Sequence, residues 1–180
     1  MTAFSRQAIL NRVLLPVVLL GILQPITTAA DEIADAIEVI ARTGEQARGS
    51  TAAAKAAKRL CQEDISLLPR LLAAMDTPNI VAANWYRQAY EVIVESEMKR
   101  ENPRLPVDML KEFILDRKHQ GRVRRLAWDL LDRVEPGFRL SQTPRLLEDP
   151  EFGSDAVERT MQAAQQLLDD GKKQEAIAIY

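Results

Sequence analysis

The chain has 180 residues, 24 basic and 26 acidic, with one histidine and one cysteine. Its formal net charge of −2 lacks the basic excess that marks a nucleic-acid binder. A single cysteine excludes an intramolecular disulfide, and a single histidine excludes a site built from several imidazoles within one chain.

Residues 1–30 read as a secretory signal peptide. Arg6 and Arg12 supply a positive start, no acid precedes Asp31, and Val13 to Leu23 form an eleven-residue apolar run. That run is too short to span a bilayer comfortably, and Thr27, Thr28, Ala29 and Ala30 are the small residues a signal peptidase needs. The competing possibility is a retained anchor helix, against which Pro16 and Gly21 argue. Cleavage before Asp31 would leave 22 basic and 26 acidic residues, a charge of 22 − 26 = −4. The chain is thus expected to be exported, periplasmic or secreted, and to meet a membrane only transiently.

From Asp31 onward the pattern is that of an all-α protein. Gly44, Gly49, Gly121, Gly137, Gly153 and Gly171 all sit where apolar periodicity breaks. Six of the seven prolines beyond residue 30 do the same, as expected of residues that helix interiors exclude. Ile33, Ile37 and Ile40 stripe a first helix over 31–47. Ser50 and Thr51 are positioned to cap a second, alanine-rich helix ending near Gln62, with Cys61 on its buried side.

Asp64 opens the next helix, where Leu67, Leu68, Leu71, Leu72 and Met75 make a broad apolar face. Pro69 should bend this helix or mark its true start. Thr77 and Pro78 read as a cap and first turn for a helix to Lys99, with Val81, Trp85, Ala89, Val92 and Ile93 inward. Val107, Leu110, Phe113 and Ile114 define a further helix, and Val123, Ala127, Leu130, Leu131 and Val134 its partner. Residues 136–154 read as a connector with one short helix over 144–148. Ser154 then caps a helix to Asp170, Gly171 ends it, and a last helix starts near Lys172.

The two hairpin segments echo each other about forty residues apart, a period typical of stacked helical repeats. Residues 64–135 resemble HEAT repeats, the two-helix units of α-solenoids. Leu67, Leu68, Pro69, Leu71, Leu72 and Asp76 match the first helix of that pattern; Asp116, Val123, Arg124, Ala127 and Leu131 match the second hairpin. Small alanines at a crossing let helices approach while leucines fill the space opposite. The resemblance implies that Asp116 and Arg124 belong to a ladder of internal polar contacts. Ala82 and Trp85 depart from the pattern in the first unit.

Residues 155–180 resemble part of a tetratricopeptide unit through Ala163, Ala164, Leu167, Gly171, Ala176 and Tyr180. An eight- or nine-residue terminal helix is marginal alone. The expectation is therefore a longer protein, or a docking face at Ala176, Ile177 and Tyr180 covered by another copy or a partner. The organisation expected is a signal peptide (1–30), a HEAT-like domain (31–135), a connector (136–154) and a partial tetratricopeptide-like hairpin (155–180). Together these make a short α-solenoid of antiparallel hairpins.

No GxSxG, HExxH, CxxC or glycine-rich phosphate loop occurs. His119, in the loop between Asp116 and Gly121, is most simply solvated. No catalytic, metal or cofactor residue is expected. The one concentrated charge feature is Arg117, Lys118, Arg122 and Arg125, a candidate grip for an anionic partner beside an Arg124 committed to structure. Trp85, Tyr86 and Trp128 are candidate groove-lining aromatics, with core packing expected for at least Trp85. The expected function is a non-catalytic scaffold that contacts another protein or further domains of its own chain. The alternative is an accessory domain of an exported enzyme whose catalytic domain lies beyond residue 180.

Overall fold

A computed structural model describes residues 29–44 and 49–179, and every regular element among them is helical. The leader read over 1–30 therefore lies almost wholly outside the described residues, as does Tyr180. The elements are α1 (Ala29–Ala41), α2 (Ser50–Leu60), a 3-10 turn (Ile65–Leu67), α3 (Leu68–Met75), α4 (Ile80–Met98), α5 (Val107–Leu115), α6 (Gly121–Asp132), α7 (Gly137–Leu146), α8 (Gly153–Asp169) and α9 (Lys173–Ile179). The main packing pairs are sequence neighbours: α1 with α2, α3 with α4, α5 with α6, and α8 with α9. Helix α4 also packs on α1 and α2, α3 meets α6, and α7 bridges α6 and α8.

The apolar stripes bury largely as their spacing requires. Ile33, Ala36 and Ile40 of α1 meet the alanine face of α2, where Ala53, Ala56, Ala57 and Leu60 are buried. Alanine at a crossing admits close backbone approach, which suits two short helices with little other apolar surface. Leu67, Leu68, Leu71, Leu72 and Met75 are all buried. Pro69 lies in the first turn of α3, after the 3-10 segment, so it marks the true start of the helix and its missing N–H costs nothing there.

Three caps differ from expectation. Helix α2 includes Ser50, and the residue before it, Gly49, adopts φ +80° with no side-chain cap. Helix α4 is capped by Asn79 rather than Thr77. The Asn79 side-chain oxygen accepts from Ala82 N at 3.2 Å, while its amide donates to Thr43 O at 2.9 Å and so ties α4 to the end of α1. Helix α8 starts at Gly153, one residue before Ser154, and its cap position is Phe152. At its other end the expectation holds: Gly171 turns left-handed at φ +78°, and Lys172 N bonds Leu167 O at 2.8 Å to close a helix-stop motif.

Helix α4 buries Ala89 and Ile93 as expected, but around them its inward face is turned towards Ala82 and Tyr86 rather than Val81 and Trp85. Ala82, Tyr86, Ala89, Ile93 and Glu97 point inward, Trp85 is only half-buried and Val92 is 45 % exposed. Two tyrosines account for the difference. Tyr86 OH donates to Ile37 O at 2.6 Å and Tyr90 OH to Leu126 O at 3.1 Å, so each ring packs inward while its hydroxyl finds a carbonyl on another helix.

Burial pushes the Tyr86 phenol up to about 12, and burial followed by the Asp129 charge pushes Tyr90 higher still. Both folded values exceed the ordinary phenol value of about 10, so the neutral forms stabilise the fold fully below that pH and the contribution fades as pH rises above it. Thermal melts between pH 9 and 12 should show this loss. The Tyr86→Phe/Tyr90→Phe variant should start less stable, and its gap to the parent should narrow as pH rises.

Residues 136–154 hold more structure than a connector. Helix α7 runs over Gly137–Leu146 with Pro144 in its last turn, and Phe138, Leu146 and Phe152 join the core around Trp128. Trp128 is 1 % exposed, tilted against Phe152 at 4.6 Å and Phe138 at 5.9 Å between ring centres. Trp128 and Tyr86 are thus core residues rather than groove-lining ones, and Trp85 packs half-buried against the same core.

Candidate functional site

Two polar clips join successive helical units. At the end of α3, Asp76 accepts from Gln120 N at 2.9 Å and lies 2.8 Å from His119 Nδ1, with one oxygen for each. His119 is not simply solvated: its ring stacks on Phe113 with 3.9 Å between centres and 14° between planes. The loop after α5 is thereby pinned to the turn between α3 and α4. Arg122 reinforces the junction by donating to Thr77 O.

The second clip is buried. Arg124 Nε donates to Ile114 O at 2.7 Å, and its two terminal nitrogens reach Asp149 at 3.2 and 2.7 Å. Asp149 Oδ1 also accepts from Glu151 N at 3.0 Å and Phe152 N at 3.2 Å, which shapes the entry to α8. Burial opposes the Asp149 charge, but the guanidinium and the two backbone N–H groups outweigh it and hold the carboxyl below its ordinary value. The ladder partner of Arg124 is thus Asp149. Asp116 instead accepts from Lys118 N at 2.9 Å within its own loop.

The basic cluster is only partly available to a partner. Arg125 is held by Glu151 at 2.8 Å and Asp155 at 2.9 Å, and those two carboxylates raise its pKa. Arg117 lies 3.4 Å from Asp149, and Arg122 spends one nitrogen on Thr77 O. Lys118 is exposed. Three of the four cations are therefore engaged in structural contacts.

The terminal face divides in the same way. Ala176 is 1 % exposed against the α8–α9 crossing, Ile177 is 68 % exposed, and Tyr180 falls outside the described residues. Cys61 is half-buried, and burial raises its thiol, which disfavours the nucleophilic thiolate. Among the described residues no group of three His, Cys, Asp or Glu side chains could hold a metal, and no helix is long and apolar enough to cross a membrane.

An open groove of roughly 940 Å³ lies where the end of α7 meets α8 as far as Gln165. Leu147, Pro150, Val157 and Met161 give it an apolar floor, and Glu148, Glu158, Gln162 and Gln165 give it a polar edge. Residue spacing hid this groove, because residues 144–148 were read as a separate short helix and α8 as half of a terminal hairpin. The signal that could have found it is the i, i+4, i+8 run of Val157, Met161 and Gln165, a stripe apart from the Ala156 and Ala164 packing positions.

Set against protein-family models, curated proteins and solved structures, the chain finds no match.

Proposed function

We propose that this chain is an exported, non-catalytic helical-repeat scaffold of the α-solenoid kind, whose work is to hold protein partners on its surface. HEAT-like units over 64–135 and a tetratricopeptide-like hairpin over 155–180 are the family terms in which its repeats are cast. The observation that carries this reading is the succession of helices packed on their sequence neighbours, with an aspartate at a turn clipping α3–α4 to the loop before α6 and another clipping α6 to the α7–α8 turn. Such a chain makes surface in proportion to its length and gathers few side chains onto any one point.

Two measurements in the producing cell test it together: the intact mass of the fractionated protein, and cross-linking of the native chain in place. Export predicts a species outside the cytoplasm that begins at Asp31, and scaffolding predicts cross-links to a discrete protein. A cytoplasmic chain that keeps Met1 to Ala30, or one that cross-links to no protein, overturns the corresponding half of the proposal.

A further inference from the structure

The groove between α7 and α8 carries one step more, which rests on the scaffold reading. We infer that it receives a basic amphipathic segment of a partner protein, with apolar side chains on Leu147, Val157 and Met161 and lysines or arginines against Glu148 and Glu158.

The apolar half of the argument is exposure. Leu147 is 42 %, Val157 46 % and Met161 54 % exposed, and all three line one concavity rather than lying scattered. Val157 and Met161 are one helical turn apart on α8, the spacing at which a ridge on a second helix can lie between them. Met161 is unbranched and polarisable, so it can adapt to a range of apolar partners. From Val157 to Gln165 the stripe rises about 12 Å, which suits a partner helix of roughly two to three turns.

The charge half selects the partner. Five carboxylates fall between residues 148 and 158. Asp149 pairs with Arg124 and Arg117, and Glu151 and Asp155 share Arg125, so three arginines balance these three carboxylates. The remaining two, Glu148 and Glu158, line the groove beside the paired Asp149, and among the described residues neither has an arginine or lysine within ion-pair distance. Glu158 only accepts from Gln162 Nε2 at 3.1 Å. Among the described residues no basic side chain lines the concavity. The positive end of α8 does not reverse this field, because Asp149 and Asp155 already meet that helix start. An apolar floor with an unbalanced acidic edge favours a cationic amphipathic segment over an acidic or neutral one.

The test uses the full chain and three labelled synthetic peptides of equal length. One repeats leucine and lysine at helical spacing, one replaces each lysine by glutamate, and one scrambles the leucine–lysine order. Anisotropy titration should give saturable, salt-sensitive binding of the first alone. Glu148→Lys/Glu158→Lys and Met161→Asp should each weaken it at least tenfold, whereas Glu101→Lys, an exposed site on another loop, should not. All substituted positions are solvent-exposed, and circular dichroism checks that each variant keeps its helices.

Absence of binding, equal binding of the three peptides, or binding indifferent to the groove variants overturns the proposal. So does concentration-dependent self-association that Met161→Asp dissolves, which would make a second copy the occupant. If cross-links to a partner persist on another face while the peptides fail, the groove assignment falls and the scaffold stands.

Discussion

Asp149→Ala should be the most damaging single substitution in the C-terminal half, costing about 3–5 kcal/mol because it leaves a buried guanidinium without its counter-charge. Arg124 is 1 % exposed and Asp149 4 %, so solvent cannot replace the lost partner. Arg124 would keep only its bond to Ile114 O. The same change orphans the N–H groups of Glu151 and Phe152, which both point at Asp149 Oδ1.

Urea unfolding checks the magnitude, and a double-mutant cycle with Arg124→Met separates the ion pair from the turn. Removing both charges should cost clearly less than removing Asp149 alone, since the unpaired charge is then gone. Acid gives a second readout. The folded carboxyl of Asp149 lies below its ordinary value, so its contribution is complete above pH 4 or so and is lost as pH falls through the folded value. The parent should lose stability over that range, and Asp149→Ala should lose less. Equal costs for the single and double variants would show that the turn, rather than the pair, carries the aspartate's effect.

That pair also marks how far spacing alone could be followed. Helix existence was legible everywhere except at α7, because glycine and proline at the breaks leave little else for the intervening residues to be, whereas Pro144 lies inside α7 itself. The inward faces of α1, α2, α3, α5 and most of α6 were legible too, since their leucines, isoleucines and alanines recur at three and four residues.

Spacing misled where an amphipathic side chain buries its ring and satisfies its polar tip on another helix. Tyr86 and Tyr90 did so in α4, and their carbonyl partners lie 49 and 36 residues away, beyond any local pattern. His119 was misjudged for the same reason, because its neighbour Asp76 is 43 residues distant. Arg124 reads as structural from its place beside the apolar positions of α6, but its partner Asp149 lies 25 residues downstream, beyond any local pattern.

The groove was illegible for a different cause. It is the gap left where α7, a helix of weak pattern containing Pro144, stops short of α8, and a gap has no residues of its own to announce it. The basic cluster is the converse case. Arg117, Arg122 and Arg125 fall within nine residues of sequence, yet each turns to a different oxygen supplied by a distant segment.

Trp128→Ala should cost about 3–5 kcal/mol, the usual range for deleting a buried tryptophan from a core that cannot fully collapse. Its indole is the largest fully buried side chain, and it is the hub on which α6, α7 and the entry to α8 converge. Phe138 and Phe152 pack on it from two sides, and the Arg139 guanidinium sits 5.1 Å above the ring. Arg139 in turn reaches Asp132 at 2.5 Å and Asp129 at 3.3 Å, so loss of the ring also loosens an ion network along α6.

The indole Nε1 has no hydrogen-bond partner, and neither do the nearby Asp132 Oδ1 and Arg139 Nε. Trp128→Phe would remove that unsatisfied donor along with some volume, so the two effects oppose and its cost should be well below that of the alanine variant. Denaturant titration of both variants measures the difference. Because α7 meets the rest of the chain through α6 and α8, hydrogen exchange in Trp128→Ala should accelerate most over residues 137–152, with α1 to α4 little changed. Uniform acceleration along the whole chain would instead make the helices one cooperative unit. The groove beside α8 would then share the stability of the entire stack rather than of its own corner.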